Sequence, residues 1–161
     1  MRDERYRLAA EAVYRETQPH FSDTWRVWTN ETRKAVTAVA LHQLPYLVPD
    51  HTFDVGQLTK DLRDFTPELE KLESEGWLEQ SDEDRWQVTQ HAFLWWLVDE
   101  LWRNVRDTSD FQSWLQRQEM DGVTTRHQKE VMGQAWGSIK GAIGKGASTF
   151  IEAYAKQLAR G

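Results

Sequence analysis

The most conspicuous chemical motif in the sequence is the glycine-rich run Gly144-Lys145-Gly146-Ala147-Ser148. A phosphate-binding P-loop requires the pattern G-x-x-x-x-G-K-[ST] directly after a strand. Here Ile139 occupies the position of the first glycine and Gly146 that of the serine or threonine, and no strand pattern precedes the run. We therefore expect no P-loop on this chain.

Metal and acid–base chemistry is also poorly supported. The five histidines are scattered, and only His51 and Asp54 have a ligand-like separation, with no third ligand close in sequence. The chain has no cysteine and lacks the G-x-S-x-G and H-E-x-x-H patterns of serine hydrolases and zinc proteases. We therefore expect a protein that is not an enzyme and that holds no metal or other cofactor.

Composition sets further limits on function. The 161 residues carry 20 Lys and Arg against 26 Asp and Glu, a net charge of -6, and no basic run that would serve as a nucleic-acid arm. No apolar stretch approaches the roughly 18 residues of a membrane span. The absence of cysteine fits a reducing compartment, so we expect a cytoplasmic protein. Nine tryptophans supply large anchors for a core or an interface.

Periodicity and chain breakers divide the sequence into three segments. Residues 1–19 are predicted to form an N-terminal helix that ends near Pro19, followed by a short amphipathic turn around Phe21. A mostly α domain with a small two-stranded β-hairpin is predicted for 20–107, and a helical C-terminal extension for 108–161. The helices predicted in the middle segment run from Thr29 or Asn30 to Pro45, over about 56–64, from Thr66-Pro67 to Gly76, and over 91–106.

Two short alternating runs, 77–81 and 85–89, flank the polar linker Asp82-Glu83-Asp84 and predict the hairpin. The helix after it has a core stripe that consists of Leu94, Leu97, Val98, Leu101 and Val105. Trp96 falls on the opposite face among charged residues, which makes it a candidate docking surface.

The order helix, helix, helix, hairpin, helix is the winged-helix arrangement. The run from Leu69 through Gly76-Trp77-Leu78-Glu79, the acidic turn, Arg85-Trp86-Gln87-Val88 and the helix that begins with His91 resembles the winged helix that closes the ATPase core of STAND and AAA+ signalling NTPases. The resemblance implies a place in a nucleotide-regulated signalling or defence assembly, as its C-terminal part, with nucleotide reached only through an ATPase domain on another segment or polypeptide. It also implies a nucleotide contact for His91, although His91 as an ordinary first residue of the helix is the simpler interpretation.

DNA binding is the alternative function, since most winged helices place the helix before the wing in the major groove. That helix, 67–75, offers Glu68, Glu70, Glu73 and Glu75 against the single Lys71, and the predicted wing tip is acidic. Such a surface is repelled by phosphates. We therefore expect no specific binding of duplex DNA, and interpret the chain as a non-catalytic protein-interaction or regulatory module.

The tail from Arg126 onward has apolar residues at three- and four-residue intervals, so that one continuous helix would place them on a single stripe. Gly133, Gly137 and Gly141 recur beside this stripe and predict close approach of another helix, with Gly137→Leu expected to clash. Because interior glycines weaken a helix, a loop at 137–147 between two shorter helices is the alternative.

The tail is predicted to bury its stripe against its own domain or against a partner or second copy; a membrane surface is the least favoured target. The candidate partner-binding residues are Trp96, Trp136, Gly137, Ile139, Gly141, Ile143 and Phe150.

Overall fold

The computed structural model describes residues 2–47, 65–81, 85–106, 108–142 and 147–160. Over these ranges the chain forms seven α-helices, a short 3-10 helix and one antiparallel pair of strands. In chain order they are α1 (Arg2–Val27), α2 (Asn30–Leu47), α3 (Thr66–Ser74), β1 (Leu78–Gln80), β2 (Trp86–Val88), α4 (His91–Asn104), α5 (Thr108–Arg117), the 3-10 helix (Asp121–Val123), α6 (Arg126–Ala142) and α7 (Ala147–Arg160). The predicted fold class, mostly helical with a small hairpin, is confirmed.

Helix α1 is longer than predicted, because it runs through Pro19 to Val27. A proline inside a helix costs about 3 kcal/mol, since it removes a hydrogen bond and crowds the carbonyl four residues earlier. Both halves of α1 nevertheless contribute to the core, through Tyr14, Phe21 and Trp25, and the helix packs against α4 and α7. This packing outweighs the local penalty, so the predicted helix end at Pro19 and the separate turn around Phe21 are both wrong.

Helix α2 is the central helix of the fold. The side chain of Thr29 caps it by accepting a hydrogen bond from the Thr32 N–H at 3.2 Å. Every residue from Ala35 to Leu44 is buried, which is typical of a helix surrounded by others. The helix continues past the predicted end at Pro45 to Leu47.

A buried glutamine ties the hairpin to this central helix. Gln43 is 8% exposed, and its side-chain oxygen accepts a hydrogen bond from the Val88 N–H at 2.9 Å. A buried N–H without a partner costs about 1–3 kcal/mol. Gln43 therefore fixes where β2 lies on α2, although nothing in the local sequence of either element indicates the contact.

The end of helix α3 forms as the sequence predicted. Gly76 has φ +84°, a left-handed conformation that favours glycine. The Gly76 N–H donates to the Glu73 carbonyl at 3.0 Å, and the Trp77 N–H donates to the Leu72 carbonyl at 2.9 Å. These two bonds form a Schellman motif, which ends the helix and turns the chain into β1.

The hairpin has the predicted antiparallel pairing, with Leu78 opposite Val88 and Gln80 opposite Trp86. Leu78 and Val88 point into the core and are buried. The acidic turn 82–84 and the helix predicted at 56–64 lie outside the described residues. Helices α2, α3 and α4 and the hairpin thus occur in the predicted order.

The core is one cluster to which α1 through α7 all contribute, from Ala10 to Ile151. All five residues of the predicted α4 stripe are buried, as are Phe111, Trp114 and Leu115 of α5. None of the described helices has the length and apolarity that a membrane crossing requires.

The tail forms two helices rather than one, but the loop predicted by the alternative at 137–147 is wrong over 137–142, which belong to α6. Helix α6 ends at Ala142 and α7 begins at Ala147; residues 143–146, including Ile143, lie outside the described residues. Helix α6 packs against α5 and α2, whereas α7 packs against α1 and α4. The apolar stripe is therefore divided between two different surfaces of the same chain.

Candidate binding sites

Two predicted anchors of the tail, Trp136 and Ile139 on α6, are completely buried within the chain. The Trp136 indole N–H donates to the Val105 carbonyl at 3.2 Å. Lys140 donates to the same carbonyl at 3.0 Å and lies 5.5 Å from the Trp102 ring centre. Because Val105 caps the C-terminal end of α4, the lysine also complements the negative end of that helix. In this conformation neither anchor is available to a partner.

Phe150, the third described anchor, is 3% exposed on the side of α7 that faces the rest of the chain. One turn later, the Tyr154 ring lies 4.7 Å from the ring of His91 and 5.5 Å from that of Trp95. These aromatic contacts join α7 to the first turns of α4. The tail thus folds back onto its own domain, which is one of the two predicted arrangements.

Asp99 connects three helices at this junction. Its carboxylate accepts a hydrogen bond from the Tyr14 hydroxyl of α1 and one from the backbone N–H of Ala147, at 3.1 Å. Ala147 is the first residue of α7, so Asp99 places a carboxylate at the positive end of that helix. Burial, with the hydrogen bond to Asp99, raises the pKa of Tyr14 far above its usual range, so the hydroxyl remains a donor at physiological pH.

His91 begins α4, as the simpler interpretation of this residue predicted, and its ring lies against Tyr154 and Trp95. Two cavities, of about 230 and 480 Å³, are both lined by these three side chains. The remaining lining is mostly apolar. A nucleotide contact at His91 stays a prediction.

Stability is expected to fall as the pH drops from about 7.5 to 5.5, because burial lowers the pKa of both His42 and His91 below the usual 6.5. Arg85 lowers the pKa of His42 further, whereas Glu79 partly opposes the shift at His91. Below pH 6.5 the unfolded chain binds protons that the folded chain resists binding, so the free energy of unfolding decreases.

Urea unfolding at three pH values in this window measures how the free energy of unfolding changes with pH. The same series on His91→Gln isolates the contribution of the His91 ring to that change. The variant should lose less stability than the parent between pH 7.5 and 5.5. An equal loss in both proteins would contradict the assignment for His91.

Trp96 does not lie on an exposed face, so its predicted placement is wrong. It is 5% exposed, and its ring centre is 5.6 Å from that of Trp25 and 5.7 Å from that of Phe93. Every position of α4 from Phe93 to Val98 is buried, because α1 covers the side that a helical wheel assigns to solvent. The aromatic contacts of Trp96 are with Trp25 of α1 and with Phe93 of its own helix.

Two of the three α6 glycines do not mark a close approach to the rest of the described chain, whereas Gly133 is buried. Gly137 and Gly141 are exposed, and a Cβ atom added at either would meet none of the described residues within 4 Å. The steric clash predicted for Gly137→Leu is therefore wrong for the isolated chain.

Gly137→Ala and Gly141→Ala are each expected to raise the free energy of unfolding by about 0.5–1 kcal/mol, because alanine stabilises a helix relative to glycine. Urea unfolding followed by circular dichroism measures the change. Gly76→Ala is the matched control: its φ of +84° is strained for alanine, so a loss of about 1 kcal/mol is expected there. Destabilisation by Gly137→Ala would reveal a contact that the structure lacks.

The solvent face of α3 is acidic, as predicted. Glu70, Glu73 and Glu75 are exposed and Glu68 is half-buried, beside the exposed Lys71. Glu79 of β1 is exposed next to this face. In the part of the chain that the structure describes, no group of three acidic or histidine side chains is arranged to hold a metal ion; the pair His51 and Asp54 lies outside that part.

A scan against protein-family models, a search of curated proteins and a search of solved structures each found no match to this chain.

Proposed function

We propose that this chain is a non-catalytic protein-interaction module of the winged-helix type that serves as the C-terminal part of a nucleotide-regulated signalling or defence NTPase assembly. The observation that carries the proposal is the unit formed by α3, the hairpin and α4. Its Schellman turn, strand register and initial His91 follow the pattern on which the family resemblance rests. The face of α3 that winged helices commonly present to DNA is acidic here.

The charge of this face favours a protein partner over nucleic acid. Each phosphate contact requires a cation, and the exposed side of α3 has one lysine among its glutamates. A basic surface on another protein complements such a face and would be steered toward it. The DNA-binding alternative would instead need positive charge at this position.

A second surface suited to a partner is the exposed side of α6. Gly137 and Gly141 each weaken the helix by about 1 kcal/mol relative to alanine, yet none of the residues that the structure describes occupies the space beside them. A partner helix, or a second copy of the chain, would approach α6 closely along this side. The buried Trp136 and Ile139 beneath it hold the helix in place.

The proposed location is the cytoplasm, in keeping with a chain that contains no cysteine. Nucleotide would be bound by the ATPase domain of the assembly.

Site-specific photo-crosslinking in cells tests the proposal. A benzophenone amino acid is placed at Glu73 on α3, at Ser138 between the two glycines of α6, or at the exposed Glu16 of α1 as the matched control. We expect a discrete adduct with a protein that has a nucleotide-binding domain from Glu73 or Ser138, and none from Glu16. The absence of a discrete protein adduct from both test positions would overturn the proposal.

Titration of labelled genomic DNA fragments at about 0.15 M salt tests the alternative function, which is specific DNA binding. We expect no specific complex. A sequence-specific complex that Lys71→Ala weakens would support the DNA-binding regulator instead.

A further inference from the structure

The outer face of α1 presents apolar side chains to solvent. Among the described residues four large apolar side chains are exposed, and three of them, Leu8, Val13 and Val27, belong to α1. Leu8 and Val13 are 53% and 52% exposed, and the alanines between them, Ala9 and Ala12, are exposed as well. These residues have the spacing of a single helix face. We call Leu8, Ala9, Ala12 and Val13 the outer stripe.

The outer stripe points away from the core. An α-helix turns by about 100° per residue, so Tyr14 and Phe21 lie on the side of α1 opposite Ala12. Both are buried, and their rings contact Trp95 and Phe93 of α4. A second helix can therefore lie along the outer stripe without meeting α4. A contiguous apolar face that the rest of a chain leaves exposed is typical of a protein contact.

Opposite charges flank the outer stripe on the same face. Arg5 lies one turn before the stripe and Glu16 one turn after it, and both side chains are exposed. Neither forms an ion pair with another described residue, whereas Arg7 pairs with Glu11 at 2.9 Å. The face is positive at its first turn and negative at its last. The same face in the reversed direction is therefore its electrostatic complement.

A second copy of α1 in the antiparallel direction fits this pattern. In a symmetric register centred on the alanines of the stripe, Arg5 of each copy lies level with Glu16 of the other, and Leu8 lies level with Val13. One interface then contains two Arg5–Glu16 pairs, and the alanines at its centre allow the two helices to approach closely. A parallel pair would instead bring like charges together at both ends.

We propose that the outer stripe of α1 is the contact of a homodimer in which two α1 helices pack antiparallel about a two-fold axis. The contact involves neither the acidic face of α3 nor the glycines of α6, and it does not depend on the proposed partner interaction. A single helix pair buries less than the roughly 1,200 Å² of a standard interface. We therefore expect a reversible dimer with a dissociation constant of about 10–100 µM.

Sedimentation equilibrium of the purified full chain at concentrations from about 5 to 500 µM tests the proposal. We expect a monomer–dimer equilibrium that Leu8→Ser weakens about tenfold, because the dimer loses two apolar side chains from its contact. Val27→Ser is the matched control. It removes an 81% exposed side chain from α1 at a position beyond the end of the second helix in this register. A chain that stays monomeric, or equal effects of the two substitutions, would overturn the proposal.

Charge reversal tests the antiparallel register. Arg5→Glu and Glu16→Arg each create two like-charged pairs, so each should weaken the dimer about tenfold, although Glu16→Arg lowers the overall repulsion between chains of net charge -6. The chain with both reversals restores both pairs and should regain nearly the parent affinity. Both positions are exposed, so the substitutions do not threaten folding. Unweakened single variants, or no recovery in the double variant, would contradict the register and the proposal with it.

Photo-crosslinking of the purified chain gives a covalent readout of the same contact. A benzophenone amino acid at Glu16 should join two copies into an adduct of twice the mass of the chain, which is distinct from an adduct with a nucleotide-binding protein. The same group at Val27 should give no such product. Absence of the homodimer adduct from Glu16 at about 500 µM, well above the expected dissociation constant, would count against the dimer.

Discussion

Replacing Trp136 by alanine is expected to lower the free energy of unfolding by about 3–5 kcal/mol, the largest effect of any single substitution considered for this chain. The side chain is completely buried in the core of α2, α5 and α6, and its indole N–H donates to the Val105 carbonyl at 3.2 Å. The substitution leaves a large cavity and removes that bond.

Urea unfolding followed by far-ultraviolet circular dichroism is the appropriate measurement, because eight other tryptophans would complicate fluorescence. Trp136→Phe should cost less than the alanine variant, since it retains most of the apolar volume and loses mainly the hydrogen bond. Gln134→Ala, at an exposed position of the same helix, should change stability by less than about 0.5 kcal/mol. A loss below about 1 kcal/mol for Trp136→Ala would show that α6 is not docked on its own chain.

Local signals in the sequence were sufficient to predict the unit formed by α3, the hairpin and α4. Each of its signals lies in residues that are close together in the sequence. They are the glycine that ends α3, the alternation of the two strands and the apolar stripe of α4. Gly76 illustrates this, because the left-handed conformation that ends the helix is a property of the residue type itself.

The end of α1 was predicted wrongly because a local rule was opposed by distant packing. The effect of Pro19 on its own turn is real, but Tyr14 and Phe21, on either side of it, both lie in the core. Their partners are on α4, at Trp95 and Phe93, more than 70 residues later in the sequence. Nothing near the proline reveals that contact.

The predicted position of Trp96 on an exposed face was wrong for a related reason. A helical wheel assumes that one face of the helix is exposed to solvent, and Trp96 shares its side of α4 with charged residues. The continuous apolar run from Ala92 to Val98 was the available signal that the helix is covered on more than one side.

The hydrogen bond between Asp99 and α7 is the clearest case of a structural contact without a local pattern, because it joins residues 48 positions apart. On a helical wheel Asp99 falls on the side of α4 opposite the core stripe. In the structure it caps α7 from another helix and accepts the Tyr14 hydroxyl. A remote cap of this kind lets the position of the tail depend on one carboxylate.

Asp99→Ala is therefore expected to destabilise the chain by about 2–4 kcal/mol. It removes the acceptor of the Ala147 N–H, leaves the Tyr14 hydroxyl only the Trp95 carbonyl at 3.4 Å, and removes a negative charge from a helix N-terminus. Asp99→Asn is the matched control: it keeps one acceptor oxygen but no charge, so its loss should be no more than about half as large. Urea unfolding provides both values.

Hydrogen exchange then distinguishes loss of the cap from general loosening. In Asp99→Ala the amides of α7, 147–160, should exchange faster than the global stability change explains, because the helix loses its attachment to α4, whereas those of 35–44 in α2 should follow the global change alone. A double-mutant cycle with Tyr14→Phe should give a coupling of about 1–3 kcal/mol. Additive effects, together with unchanged exchange in α7, would mean that Asp99 does not hold the tail, and that the aromatic contacts of Tyr154 with His91 and Trp95 are sufficient to dock it.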